Sequence, residues 1–169
     1  MKNILIISAT LKSNYKLAEQ LKKMLEKFDT KVTLISLENY ALPLYTENIF
    51  NKHKDECKNN VVSLTNYFVK NDGIIICAPE YNGSIPPIVN NAIAWISGST
   101  NYWRDAFNNK ITLIATSSGG SGTKFITAMK SQFEYLGCIV MPRALSSNES
   151  NPLNIESTEK ILKQFIKII

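Results

Sequence analysis

The sequence predicts an α/β fold in three layers: a doubly wound sheet of five parallel strands with helices on both faces. Runs rich in Ile, Val and Leu recur along the chain, and segments with helical apolar spacing separate them. The runs are largely uninterrupted and carry few charges. A parallel sheet covered on both sides requires such strands, because neither face meets water.

The strand-like runs are residues 3–8, 31–36, 73–78, 111–116 and, more weakly, 138–141. After the first, Leu17, Leu21, Met24, Leu25 and Phe28 repeat at helical spacing, and Val61, Val62, Leu64, Phe68 and Val69 do so before the third. Residues 86–97 begin with Pro86-Pro87, suited to a first helical turn, and Gly98 is expected to stop that helix. Gly122 to Leu136 reads as the fourth helix, ended by Gly137, and residues 155–168 as the last. The stretch from Leu37 to Asp55, containing Pro43, reads as an irregular insertion, which in a compact domain is often functional.

Bulk properties narrow the function. A chain of 169 residues, 44% hydrophobic and 20% charged, is expected to be one domain over residues 1–169. Its longest apolar runs, such as Ile4 to Ile7, fall far short of a membrane span, and no export signal is read at the N-terminus, so a cytoplasmic protein is expected. The net charge of +5 is spread along helical segments, which argues against a nucleic-acid surface. Cys57, Cys77 and Cys138 are widely spaced and suggest neither a disulfide framework nor a zinc motif. His53 has no neighbouring ligand and reads as a surface loop residue, so no metal site is expected.

In an open parallel sheet, ligands bind beyond the carboxyl ends of the strands, where the strand order reverses. The loop Ser8-Ala9-Thr10-Leu11-Lys12-Ser13-Asn14 is dense in hydroxyl and amide groups and leads into a helix, which suits a phosphate. It is neither a Gly-x-Gly-x-x-Gly turn nor a Walker loop. The alternative is an ordinary helix start capped by Ser13 or Asn14. The third loop runs from Ala78 to Pro87 and brackets a flexible Asn82-Gly83 turn and Tyr81 with prolines. The fourth, Thr116 to Gly122, carries glycines that let backbone approach a flat ligand. The strand order 2-1-3-4-5 brings these three loops to one crevice. Together they suit a phosphorylated planar heterocycle.

The segment Pro79-Glu80-Tyr81-Asn82-Gly83-Ser84-Ile85-Pro86, followed by Asn91-Ala92-Ile93 and Trp95, resembles the signature of NAD(P)H-dependent FMN reductases, relatives of quinone, azo and chromate reductases. The resemblance extends through Leu42-Pro43-Leu44-Tyr45 and Ser117-Ser118-Gly119-Gly120 over nearly the whole chain. It implies a flavodoxin-like fold with FMN as cofactor and NADPH or NADH as donor. Thr10, Lys12, Ser13 and Asn14 would bind the FMN phosphate, with Ser8 beside them. Pro79, Glu80, Tyr81, Asn82 and Gly83 would contact the isoalloxazine, and Ser117, Ser118, Gly119 and Gly120 would close its other edge. Where the family usually has Gly-Ser-x-Arg, this chain has Ala9-Thr10-Leu11-Lys12, which replaces a bidentate fork by a point charge.

The resemblance also implies a ping-pong hydride mechanism in which the flavin carries the chemistry. Asn82 is the one residue given a catalytic role, as a donor toward N5 and O4. The acceptor would be small: a quinone, azo compound, chromate or free flavin. Such proteins are usually homodimers or homotetramers, and the stretch Trp95 to Trp103 is a candidate contact, flavin rim or piece of core; Arg104 is a candidate for a 2′-phosphate. A flavodoxin-type one-electron carrier is the alternative in another class, disfavoured by the basic charge and the Ser8 to Leu11 sequence. A flavin-free binding or regulatory domain on the same scaffold is a third.

Overall fold

The computed structural model describes residues 1–169. The chain runs β1 (Lys2–Ser8), α1 (Ser13–Leu25), β2 (Thr30–Ser36), a 3-10 turn (Leu37–Tyr40), α2 (Glu47–Lys70), β3 (Gly73–Cys77), α3 (Pro87–Ser99), β4 (Ile111–Ser117), α4 (Thr123–Tyr135), β5 (Ile139–Val140), β6 (Leu145–Ser147) and α5 (Ile155–Ile168). The strands are parallel in the order β2-β1-β3-β4-β5, the expected flavodoxin-like arrangement.

The uninterrupted apolar strands explain the three layers. On one face Leu5, Ile7, Ile74, Ile76 and Ile114 pack with Leu64, Phe107, Phe125 and Phe133. On the other, Ile4, Ile6, Ile75, Leu113 and Ala115 pack with Leu21, Leu25, Ile161 and Phe165. Gly73 sits under Phe165, where a Cβ would lie 2.6 Å from the ring Cζ, so the strand can start only with glycine if α5 is to close on it. The register places Ser8 beside Cys77 and Cys77 beside Ala115, so β1 and β3 end level and β4 runs two residues farther, to Ser117, which brings their loops to one end of the sheet.

Several expectations are corrected. The weak fifth strand is two short pieces. β5 pairs with Ile111 and Thr112 of β4, and a sixth strand, β6, pairs with Ala115 to Ser117 farther along the same edge. Pro142 lies in the break between them and has no N–H to offer the ladder. The irregular stretch expected up to Asp55 ends at Thr46, whose side chain accepts the Ile49 N–H at 3.1 Å and caps α2. The first turns of α2 pack on α3, not on the sheet: Phe50 lies 5.5 Å from Trp95, centroid to centroid. His53 is therefore on a helix and pairs with Glu56. Gly98 does not stop α3, which continues to Ser99; its missing side chain admits the Tyr45 hydroxyl, 3.0 Å from where a Cβ would stand. Phe28 lies beyond the end of α1 at Leu25.

The Leu42 to Tyr45 segment is held by α3. Asn91 donates to the carbonyls of Leu42 and Pro43 and accepts the Tyr45 N–H at 2.7 Å. Trp95, 1% exposed, donates its indole N–H to Pro43 at 2.8 Å and meets Tyr45 edge-on. Trp95 is thus core. Trp95→Phe keeps much of the apolar volume and deletes one buried donor, so urea unfolding followed by circular dichroism should show a loss of about 1–2 kcal/mol.

Candidate functional site

The loops after β1, β3 and β4 meet, as the strand order requires, around an open cleft of about 490 Å³. Thr10, Lys12, Ser13 and Asn14 line one side; Pro79, Glu80 and Tyr81 a second; Ser117, Ser118 and Gly119 a third. Asn148, Glu149 and Ser150 complete the wall. Sequence reasoning missed these three because the strand they follow, β6, carries too short an apolar signal to read.

The start of α1 is not an ordinary capped helix. Lys12 occupies the cap position without a side-chain hydrogen bond, so neither Ser13 nor Asn14 serves as cap. The backbone N–H groups of Thr10, Lys12, Ser13 and Asn14 make no hydrogen bond within the chain. Unbonded amides, the positive end of a helix and a lysine on the cleft wall are groups whose chemistry suits an anion.

Two of the expected ligands have their side chains engaged within the chain. The Asn14 side chain, fully buried, donates to the Ser117 carbonyl at 2.8 Å and accepts the Ser117 N–H at 2.8 Å. It ties the first loop to the fourth instead of directing its carboxamide oxygen into the cleft. Ser8 is also fully buried, and its hydroxyl donates to the Thr10 carbonyl at 2.6 Å, bending the loop away from the strand.

The third and fourth loops are joined in the same way. The Glu80 N–H donates to the Ser118 hydroxyl at 2.8 Å, and that hydroxyl shares a hydrogen bond with Thr116. The Glu80 carboxylate accepts the N–H groups of Lys124 and Phe125 at 2.9 and 3.1 Å. Gly122, the cap residue of α4, has φ of 66° and no side chain to perform this task. Glu80 is thus a remote cap for α4, placed where the helix dipole favours an anion.

The Asn82-Gly83 turn is tight and defined, in contrast to the flexible turn expected. Asn82 and Gly83 have φ of 51° and 69°, and Tyr81 and Ser84 exchange backbone hydrogen bonds of 3.2 and 3.0 Å around them. Two consecutive positive φ values are the mark of a type I′ hairpin. Asn82 and Gly83 stand at its tip, beside Tyr81 but not among the residues lining the cleft, and Gly120 of the fourth loop is likewise not among them. The N–H groups of Asn82 and Gly83 make no hydrogen bond within the chain. Tyr81 is half exposed at the mouth, and the Lys124 side chain lies over the turn, its Cδ 3.1 Å from where a Gly83 Cβ would stand. A Cβ at Gly119 or Gly120 would meet no atom within 4 Å, so the backbone there faces open space.

The remaining candidates lie elsewhere. Trp103 packs on Tyr135, with the Arg104 guanidinium 4.3 Å from the Trp103 ring centroid. Tyr135 ends α4, a helix length of roughly 18 Å from the cleft at its start. Neither Trp103 nor Arg104 therefore rims the site. Burial raises the thiol pKa of Cys77, under the cleft, well above its ordinary value and pushes Cys138 up to about 12, so neither offers a thiolate. No group of three or more His, Cys, Asp or Glu gathers in a metal-binding arrangement. No helix is long and apolar enough to cross a membrane.

Comparison with known proteins supplies the family. The profile of the NADPH-dependent FMN reductases matches residues 2–152. The chain is 32% identical over 98 residues to the NADH:(hydroxy)cinnamate reductase subunit CrdA of Vibrio ruber, a match covering 58% of this chain and 45% of that protein. It is 27% identical over 143 residues to a quinone reductase of Pseudomonas putida, covering 74% of this chain and 69% of the other. Among solved structures, the FerB flavoenzyme NAD(P)H:(acceptor) oxidoreductase of Paracoccus denitrificans superposes with a TM-score of 0.72 at 22% identity, over 99% of this chain and 94% of that one.

Proposed function

The chain belongs to the NADPH-dependent FMN reductase family, and from that premise we propose that it oxidises NADPH or NADH and passes the electrons through FMN to a small acceptor. The observation that carries this reading is the cleft itself. Unbonded amides beside Lys12 suit the phosphate, and the unbonded N–H groups of Asn82, Gly83 and Gly119, the last on the cleft wall, suit a flat polar ring. These residues fit FMN better than a free anion, for which the second and third walls would have no use.

FMN, when bound, supplies the hydride chemistry, taking up electrons from the nicotinamide and giving them to the acceptor. The chain's own part is to hold and orient. Thr10, Lys12 and Ser13 anchor the phosphate, with the Asn14 backbone N–H beside them. The N–H groups of Asn82 and Gly83 would donate to the ring and stabilise charge that builds up on it. Tyr81 covers one side of the mouth. Ser8, the Asn14 side chain, Glu80, Ser117 and Ser118 fix the three loops in register. No side chain at the cleft is required as a general acid or base.

A ping-pong order, a quinone, azo compound, chromate or free flavin as acceptor, a homo-oligomer, a single domain and a cytoplasmic setting belong to the same reading. Initial rates with a quinone and no protein partner test it. Varying NADPH at several fixed quinone concentrations should give parallel double-reciprocal lines. Intersecting lines would overturn the ping-pong order, and absence of NADPH and NADH oxidation would favour a one-electron carrier.

A further inference from the structure

The phosphate loop carries an anion of the protein's own. Of the five N–H groups from Thr10 to Asn14, four make no hydrogen bond, and the fifth, that of Leu11, donates to the Glu38 carboxylate at 2.8 Å. Glu38 comes from the 3-10 turn after β2, a different element from the loop it holds. It is exposed and forms no ion pair with any lysine or arginine. Its charge is therefore not neutralised by direct contact, and through Leu11 it stands next to Thr10 and Lys12, two of the residues that line the cleft on this side.

We propose that Glu38 sets how loosely FMN is held: its carboxylate fixes the loop through Leu11, and its charge opposes the incoming phosphate at the neighbouring amides. The inference rests on the reading that FMN binds in this cleft with its phosphate at the Thr10 to Asn14 loop. A carboxylate near a phosphate weakens its binding through like-charge repulsion, and exposure makes that repulsion sensitive to salt. The hydrogen bond itself does not need the charge, because a neutral amide oxygen accepts the same N–H. Glu38 thus favours a flavin that exchanges with solution.

Glu38→Gln separates the charge from the hydrogen bond. Dissociation constants for FMN and for riboflavin, which lacks the phosphate, are measured by quenching of flavin fluorescence on wild type and E38Q at low ionic strength and at about 1 M salt. The expected result is that E38Q binds FMN about threefold to tenfold more tightly at low salt, leaves riboflavin unchanged and loses its advantage in high salt. An unchanged FMN-to-riboflavin ratio, or an equal gain for both flavins, would overturn the role of Glu38 while leaving the flavin site standing. Failure of wild type to bind either flavin would overturn the function reading, and this inference with it.

Discussion

Asn14→Ala should cost about 2–4 kcal/mol and lower the melting temperature by about 5–15 °C, and it should abolish flavin binding at concentrations that saturate the wild type. The size follows from what the side chain does. Asn14 is fully buried and meets both the N–H and the C=O of Ser117 at 2.8 Å. Alanine leaves both groups without their partner in the chain, at the wall of the cleft. Each unpaired group costs more than a surface hydrogen bond contributes. The same pair of bonds sets the spacing between the phosphate seat and the fourth loop, so the cleft should widen as stability falls. Asn14→Asp is the sharper control: it keeps an acceptor for the Ser117 N–H but sets a carboxylate against the Ser117 carbonyl. Thermal unfolding and flavin titration of both variants check this. A melting temperature within about 1 °C of wild type in N14A would contradict it.

Glu80→Ala should be the next largest effect. It removes the carboxylate that caps α4 at Lys124 and Phe125, and the loss is about 1.5–3 kcal/mol, the range for hydrogen bonds to a charged group. Gly122 cannot compensate, having no side chain. Because the third loop is then detached from α4, the Asn82-Gly83 turn loses its fixed position. FMN and riboflavin should weaken together, by about tenfold, since the isoalloxazine wall and not the phosphate seat is disturbed. Glu80→Gln, which keeps one acceptor, should fall between. Weakening of FMN alone would show that Glu80 acts on the phosphate and would refute this assignment.

The parts of the fold legible in the sequence are those whose physics is local. β1, β3 and β4 announce themselves because both faces are buried, and their parallel pairing follows from the alternation with helices. β5 is legible only weakly and β6 not at all, because Pro142 splits the strand and leaves Leu145-Ser146-Ser147 with a single buried apolar residue. The start of α2 is hidden for another reason: it buries Phe50 against α3 instead of laying a continuous stripe on the sheet.

At the site, loop membership is legible and side-chain direction is not. Thr10, Lys12, Ser13, Pro79, Tyr81, Ser117, Ser118 and Gly119 line the cleft as expected. Asn14 and Glu80 line it too, yet their side chains reach partners 103 and 44 residues away, and no local pattern encodes that. Glu38 lies in the expected irregular stretch, and only the packed 3-10 turn brings it to Leu11. The Asn82-Gly83 turn is readable in kind, since Asn-Gly favours type I′, but its place outside the cleft lining depends on the hairpin's orientation.

The most direct test of flavin-mediated nicotinamide oxidation is a visible-absorbance titration of the purified protein with FMN, followed by anaerobic addition of NADPH and, separately, NADH. The expected result is a bound flavin at one per chain, with a shifted absorption band that bleaches on adding at least one of the two nucleotides. A protein that takes up no FMN, or whose bound FMN stays yellow with both nucleotides, would contradict it.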